Sequence, residues 1–135
     1  MPLIPWDEKM IIHVQSMDFQ HQHWVRLINQ LHEAMLEGKG SVVIHQTLND
    51  VLGYTRVHFT SEERLLSENG YPGYNQHKKI HADFIEKISD FQDRLDKGHM
   101  ILAMEIMKEM RNWLNQHIQD TDRQYVSFLK QKGAA

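Results

Sequence analysis

Four stretches of the chain carry apolar residues at alternating steps of three and four positions, separated by glycines and by Pro72. Such spacing places each set on one face of a helix with 3.6 residues per turn, so the pattern predicts an all-α protein. The four faces comprise Met17, His21, Trp24, Ile28, Leu31 and Met35; Ile44, Leu48, Val51, Thr55, His58, Glu62 and Leu65; Tyr74, His77, His81, Phe84, Ile88, Phe91 and Leu95; and Ala103, Ile106, Met110, Trp113 and His117.

Residues that commonly begin or end helices mark the boundaries. Ser, Thr and Asp cap helix starts, Pro suits a first turn, and Gly follows helix ends. We predict helices from Ser16 or Asp18 to about Gly38 and Gly40, from Ser41 to Asn69–Gly70, from Pro72 to about Gly98, from about His99 to about Gln119, and from Thr121 or Asp122 to just before Gly133.

Helices joined by turns this short predict an antiparallel up-down four-helix bundle. The predicted organisation is one domain over 1–135, with an N-terminal arm (1–16), the bundle (17–119) and a short C-terminal helix (121–132).

The amino-acid composition narrows the range of possible functions. The net charge is −3 and there is no basic run, which argues against a nucleic-acid partner. We expect no membrane span, because no stretch approaches the roughly 20 apolar residues that one needs. We expect no signal peptide, because the first residues show no cationic region followed by a long apolar run. A chain without cysteine fits a reducing compartment, so we expect a cytoplasmic protein. Ten histidines without cysteine indicate nitrogen and oxygen ligands for any bound metal.

The polar residues that interrupt the apolar faces are mostly His, Glu and Asp. They are His21, His58, Glu62, His77, His81 and His117, with Asp122 close behind. A buried polar group without a partner costs roughly 2–7 kcal/mol, so these side chains must satisfy each other or something bound. In an up-down bundle the start of the first helix, the end of the second, the start of the third and the end of the fourth share one end. The topology therefore predicts that these residues converge.

Asp122 is the exception to regular spacing. It follows His117 by five residues, a rotation of roughly 140° on a regular helix. Asp122 can therefore point inward only if the fourth helix breaks or bulges near Gln119 to Thr121.

The size of this set indicates two metal ions. Five imidazoles and two carboxylates exceed the four ligands that one zinc typically takes. Two octahedral ions could share both carboxylates and one solvent oxygen. Three histidines would then complete one ion, and the other two histidines would leave the second ion with one open position. Such a site suits iron and a single small-molecule ligand.

The chain resembles the hemerythrins in their single-domain bacterial form. The resemblance covers nearly the whole chain and rests on "DFQH" (18–21), "HFTSEE" (58–63), "YPGYNQHKKIH" (71–81) and "WLNQHIQDTDRQY" (113–125). It implies two iron ions with an oxo or hydroxo bridge: His77, His81 and His117 on the filled iron, His21 and His58 on the iron with the vacancy, and Glu62 and Asp122 bridging.

The resemblance also implies reversible O2 binding, for transport, storage or delivery, with O2 held end-on as hydroperoxide on one iron. The implied pocket wall consists of Met17, Trp24, Phe59, Trp113, Leu114 and Ile118. Trp24 departs from the family, where a leucine-sized aliphatic residue is common three positions after the first histidine. An indole there could crowd the ligand, steer it or donate a hydrogen bond, and we expect Trp24→Leu to change the autoxidation rate several-fold.

The alternatives to O2 binding are a di-iron enzyme and an O2 or redox sensor. A di-iron enzyme that reduces peroxide or nitric oxide, or oxidises iron, commonly uses Glu-x-x-His pairs. This chain has His-x-x-x-Glu and His-x-x-x-His instead, which favours binding over turnover, so we expect no enzyme. An O2 or redox sensor would need a separate partner. The expected partners are O2 and an oxygen-consuming enzyme as recipient, and a monomer is favoured.

Residues around the ligands have less specific predicted roles. Gln20, Gln116 and Glu63 are candidate hydrogen-bond partners for the outer nitrogens of the imidazoles. Tyr125 fits either such a role or simple packing. The remaining histidines are predicted to lie outside the site: His13, His23, His32, His45 and His99.

Overall fold

A computed structural model describes residues 3–39, 41–98 and 100–134, with side chains throughout except at positions 41, 100–103 and 106. Its regular elements in these ranges are a 3-10 turn (Glu8–Met10), α1 (Gln15–Leu36), α2 (Ser41–Glu68), α3 (Tyr74–Asp96), α4 (Met100–Gln116), a π-helical segment (His117–Asp122) and α5 (Arg123–Gln131). The predicted all-α bundle is confirmed. Gly40, His99, the Ser41 cap and the core positions Ala103 and Ile106 lie outside what is described.

The start of α1 differs from the prediction. The helix begins at Gln15 after Val14, which makes no side-chain capping bond, so Ser16 and Asp18 are not caps. Asp18 faces backward instead, and its carboxylate accepts hydrogen bonds from the backbone N–H of Ile12 (2.8 Å) and of His13 (3.0 Å). The physical reason is that the arm folds back over the first turn, where His13 adopts a φ of 64°.

The turns between the helices occur close to the predicted breaks. Gly38, Gly70 and Gly98 have φ values of 66°, 68° and 76°, a left-handed conformation that side chains disfavour. Pro72 lies in the turn before α3, which begins at Tyr74. These turns reverse the chain, so the end of α2 and the start of α3 meet at one end of the bundle.

The fourth helix passes into the fifth without leaving the helical path. Regular α-helix ends at Gln116, three residues before the predicted end, and α5 begins at Arg123 rather than at Thr121 or Asp122. Between them the backbone is π-helical, and this is the predicted bulge. Each π turn contains an extra residue, which brings residues five apart towards the same face.

The N-terminal arm is tied to the bundle at two points. The side-chain amide of Asn29 pairs with both backbone groups of Ile4, at 2.8 Å each. The guanidinium of Arg123 donates to the carbonyls of Lys9 (2.6 Å) and Ile11 (3.0 Å). The arm thus adds Ile4, Met10 and Ile12 to the buried core.

None of the described helices has the length and apolar content that crossing a membrane requires.

Candidate metal centre

Three helices and the π-helical segment together contribute one buried cluster of polar side chains. His21 comes from the start of α1, and His58 and Glu62 from the second half of α2. His77 and His81 come from the start of α3. His117 and Asp122 are the first and last residues of the π-helical segment. All seven predicted side chains lie at the same level of the bundle and none is more than 3% exposed: His21, His58, Glu62, His77, His81, His117 and Asp122.

Three imidazoles form one group, hereafter the three-imidazole group: His77, His81 and His117. Their Nε2 atoms lie 2.6, 2.9 and 3.6 Å from Oε1 of Glu62, in that order. The ligand atoms of this set all lie within 4.8 Å of one another, a spacing that could hold a metal ion. The π segment makes this possible, because it brings His117 and Asp122 to 3.0 Å.

The remaining two imidazoles form the two-imidazole group: His21 and His58. Their Nε2 atoms lie 3.7 and 3.6 Å from the other Glu62 oxygen, Oε2. These three residues also have ligand atoms within 4.8 Å of one another. The two rings meet edge to face, with centroids 4.7 Å apart.

The two carboxylates are shared between the groups. Oε1 of Glu62 faces the three-imidazole group, and Oε2 faces the two-imidazole group. Asp122 divides in the same way: Oδ1 lies 3.2 Å from His77, and Oδ2 lies 3.0 Å from His21. Each carboxylate therefore offers one oxygen to each group.

The inner atoms of the cluster satisfy one another only in part: Nε2 of His77 and Nε2 of His81 hydrogen-bond to Oε1 of Glu62. Among the described residues, no hydrogen-bond partner is found for Nε2 of His21, for Nε2 of His58 or for either oxygen of Asp122. Nε2 of His21 lies 3.0 Å from Oδ2 of Asp122, so these lone pairs converge on the same space. Buried lone pairs that converge without pairing cost free energy unless something binds between them, and imidazole and carboxylate donors suit iron. The residues present therefore fit an iron centre.

The pKa values of the clustered side chains are shifted in different directions. Burial alone would lower the pKa of His21, but close contacts with Asp122 and Glu62 outweigh burial and raise that pKa to about 9. The same balance raises the pKa of His77 and of His117 to about 9. Burial would raise the pKa of Glu62, but contacts with His117 and the other imidazoles hold it well below its usual value.

His58 behaves differently from the other imidazoles. Burial lowers its pKa to about 3, and the charge of Glu62 offsets only part of that effect. Its Nδ1 lies 2.8 Å from Oε1 of Gln20, so the neutral ring donates outward and turns the lone pair of Nε2 inward. This is the tautomer that a metal ligand needs.

Two other outer contacts orient the site. Nδ1 of His81 lies 2.9 Å from a carboxylate oxygen of Glu63, and the Tyr125 hydroxyl donates to Oε2 of Glu62 at 3.0 Å. Burial, then the charges of Glu62 and Asp122, raise the pKa of Tyr125, so the hydroxyl keeps its proton. Of the predicted outer partners, Gln20 and Glu63 make the expected contacts, whereas Gln116 is exposed.

Aromatic rings pack against three of the imidazoles. Phe59 stacks on His81 with centroids 3.8 Å apart, and Trp113 stacks on His117 at 4.6 Å. Trp24 lies 5.0 Å from His58. Of the remaining predicted wall residues, Met17, Leu114 and Ile118 are buried in the same core.

The sequence interpretation missed one polar residue beside this wall. The Thr55 hydroxyl accepts a hydrogen bond from the indole N–H of Trp24 at 2.9 Å. The signal was present, because Thr55 interrupts the apolar face of α2 one turn before His58.

A helical bundle with a buried His and carboxylate cluster at one end defines a class of non-haem metal-binding proteins. Comparison with known proteins makes the class specific. The family model described as Hemerythrin HHE cation binding domain matches residues 13–129. The chain belongs to the hemerythrin family.

Individual relatives agree with this assignment. A bacteriohemerythrin of Pseudomonas aeruginosa (strain PAO1) is 32% identical over 130 residues, which cover 96% of this chain and 84% of that protein. The myohemerythrin of Theromyzon tessulatum is 28% identical over 124 residues, 92% of each chain. A solved structure of wild-type hemerythrin superposes with a TM-score of 0.85 at 26% identity, covering 98% of this chain and 99% of that one. The resemblance drawn from the motifs is confirmed.

Proposed function

We propose that this protein binds O2 reversibly at two iron ions held by the seven clustered side chains. The three-imidazole group would hold one iron, the two-imidazole group would hold the other, and Glu62 and Asp122 would each give one oxygen to each iron. When bound, the irons would supply the two electrons that O2 takes up and returns.

The division of the two carboxylates carries this proposal. A single ion would leave either the oxygens that face the two-imidazole group or those that face the three-imidazole group without a ligand role. Two ions use every inner donor atom. The unequal imidazole count then leaves the iron at His21 and His58 with fewer protein ligands, which is where a small ligand has room to bind.

The surrounding residues favour binding over turnover. Gln20 and Glu63 keep the protons of His58 and His81 on the outer nitrogens, away from the ligand. The Tyr125 hydroxyl is already committed to Glu62. Phe59 and Trp24 exclude water from the interior side, which protects a reduced ligand from protonation.

Optical spectroscopy of anaerobically reduced, iron-loaded protein tests the proposal. We expect mixing with O2 to produce a visible charge-transfer band, and deoxygenation to abolish it over repeated cycles. An enzyme would instead convert at once to an oxidised form that deoxygenation does not reverse.

A matched pair of histidine variants provides the control. His21→Leu should abolish the reversible band, whereas His23→Leu should retain it, because His23 packs on Tyr54 outside the cluster. A band that survives His21→Leu, or that never reverses in the wild-type protein, would contradict the proposal.

A further inference from the structure

Trp24 is held in place more firmly than packing alone requires. Its indole N–H donates to the Thr55 hydroxyl at 2.9 Å, and that hydroxyl donates in turn to the carbonyl of Val51 at 2.7 Å. All of these atoms are buried, and Trp24 and Thr55 are both 0% exposed. Because the Thr55 proton is committed to Val51, its lone pair is directed at the indole.

The same indole is packed among aromatic rings. It meets Phe59 and Phe84 edge to face, with centroids 5.4 and 5.7 Å apart, and it lies tilted against His58 at 5.0 Å. A packed core does not readily let a ring of this size rotate, and a rotation here would also leave the N–H without a partner. The indole is therefore a rigid wall beside the two-imidazole group.

This arrangement shows whether Trp24 can donate a hydrogen bond to a ligand or can only crowd and steer it. Its single N–H is already used, so it does not donate to a ligand. Its bulk remains, and it lies three residues after His21 and against His58, so it borders the half of the centre with fewer protein ligands.

We propose that Trp24 sets the size limit of the ligand site and that Thr55 is the positioning residue that keeps it there. The site then accepts diatomic ligands such as O2 and discriminates against longer ones. The inference rests on the proposed function, because it assumes an exchangeable ligand at the His21 and His58 iron.

Anion selectivity of the oxidised, iron-loaded protein tests the size limit. Azide and thiocyanate are linear triatomic probes of different length and bulk. We expect Trp24→Leu to raise thiocyanate affinity relative to azide affinity by about tenfold or more, the range for a pocket enlarged by a few methylene-sized groups. Trp24→Phe keeps an aromatic core and should give a smaller rise in the same direction.

Variants at Thr55 separate positioning from packing. Thr55→Val removes the hydroxyl that accepts the indole hydrogen bond and should raise the ratio of thiocyanate affinity to azide affinity. Thr55→Ser keeps the hydroxyl and should give the wild-type ratio. Thr47→Val is the matched control, because Thr47 makes the same hydrogen bond to the carbonyl four residues earlier (Val43, 2.8 Å) without an indole partner. In a Trp24→Phe background, Thr55→Val should add nothing.

The proposal is overturned if iron-loaded Trp24→Leu and Trp24→Phe keep the wild-type ratio of thiocyanate affinity to azide affinity. It is also overturned if Thr55→Val has the same effect with and without Trp24. A separate readout needs no metal: solvent exchange of the Trp24 indole proton, followed by NMR. We expect slow exchange in wild-type and Thr55→Ser protein and fast exchange in Thr55→Val.

The two proposals fail in different experiments. If the proposed function is wrong, the wild-type protein shows no reversible O2 band. If the indole is not held by Thr55, its proton exchanges at the same rate in metal-free wild-type and Thr55→Val protein.

Discussion

The three-imidazole group and the two-imidazole group share the same two carboxylates but differ in how they are supported. In the first group, His77 and His81 lie within 2.9 Å of Glu62, and His81 is backed by the charged Glu63. In the second, His21 and His58 are more than 3.5 Å from Glu62, and His58 is backed by the neutral amide of Gln20.

The surroundings of the two groups differ as well. Surface grooves of about 290 and 220 Å³ reach His81 and His117. His21 and His58 are 0% exposed and are bordered by the fixed indole of Trp24. Under the proposed function, the three-imidazole group would hold its ion with a full set of protein ligands, and the two-imidazole group would leave room for a small ligand in a dry setting. The predictions below test this division.

Loss of the shared carboxylate should have the largest effect, because it removes a ligand from both halves. We expect Glu62→Gln to bind both irons far more weakly, beyond the ~10–100-fold that loss of an outer hydrogen-bond partner costs. Metal analysis after dialysis against a chelator measures this. Glu68→Gln on the same helix, whose exposed carboxylate pairs with Arg64, should keep the wild-type iron content. Equal iron in both variants would contradict a shared ligand.

Single histidine variants should separate the halves. His58→Ala should lose the iron of the two-imidazole group and keep the other, because one imidazole and two shared carboxylates hold an ion poorly. His81→Ala should retain both irons at reduced affinity, since two imidazoles remain. Iron stoichiometry checks this, and identical losses in the two variants would show that the halves are not distinct.

Much of this site was predictable from sequence because it follows from helical period and topology. The i, i+4 pairs His58–Glu62 and His77–His81 must share a face, and the up-down order brings their helix ends together. The need for a bulge between His117 and Asp122 came from counting residues. That these side chains hold iron stays a prediction.

Other features depend on how one helix rotates against its neighbour, which the sequence does not show. Helical phase alone did not establish that Gln20 reaches His58 or that Thr55 receives the indole of Trp24. The predicted start of α1 was wrong because Asp18 accepts hydrogen bonds from the N-terminal arm instead of capping the helix. No local sequence pattern specifies the path of that arm.

Metal-free protein should depend on pH in a way that loaded protein does not. His21, His77 and His117 have a pKa raised to about 9, so the folded state binds more protons than the unfolded state between pH ~6.5 and ~9. The stability that these three histidines contribute should therefore be full below about pH 6.5 and should fall, by on the order of a few kcal/mol, as pH rises through 9. Melting curves of metal-free and iron-loaded protein across this range measure it.

The loaded protein should lack this decline because its ring nitrogens hold metal in place of protons. Iron binding at neutral pH should also release protons into a weakly buffered solution. A metal-free protein whose stability is flat from pH 6.5 to 9 would contradict the assigned contacts of His21, His77 and His117.

The outer hydrogen bonds should have the smallest effect and should sharpen the comparison. We expect Gln20→Leu to weaken iron at the two-imidazole group, and Glu63→Leu to weaken iron at the three-imidazole group, each by ~10–100-fold. Competition with a chromophoric chelator measures both affinities. A Gln22→Leu variant, altered on an exposed face of α1, is the control. An equal change at both ions in either variant would show that the outer contacts do not act locally.

The most direct test of the central claim is an anaerobic titration of metal-free protein with ferrous iron, followed by stoichiometry and absorption. The account predicts an end point at two irons per chain, which falls to one in His58→Ala. An end point at one iron in the wild-type protein would contradict a centre in which Glu62 and Asp122 serve two ions.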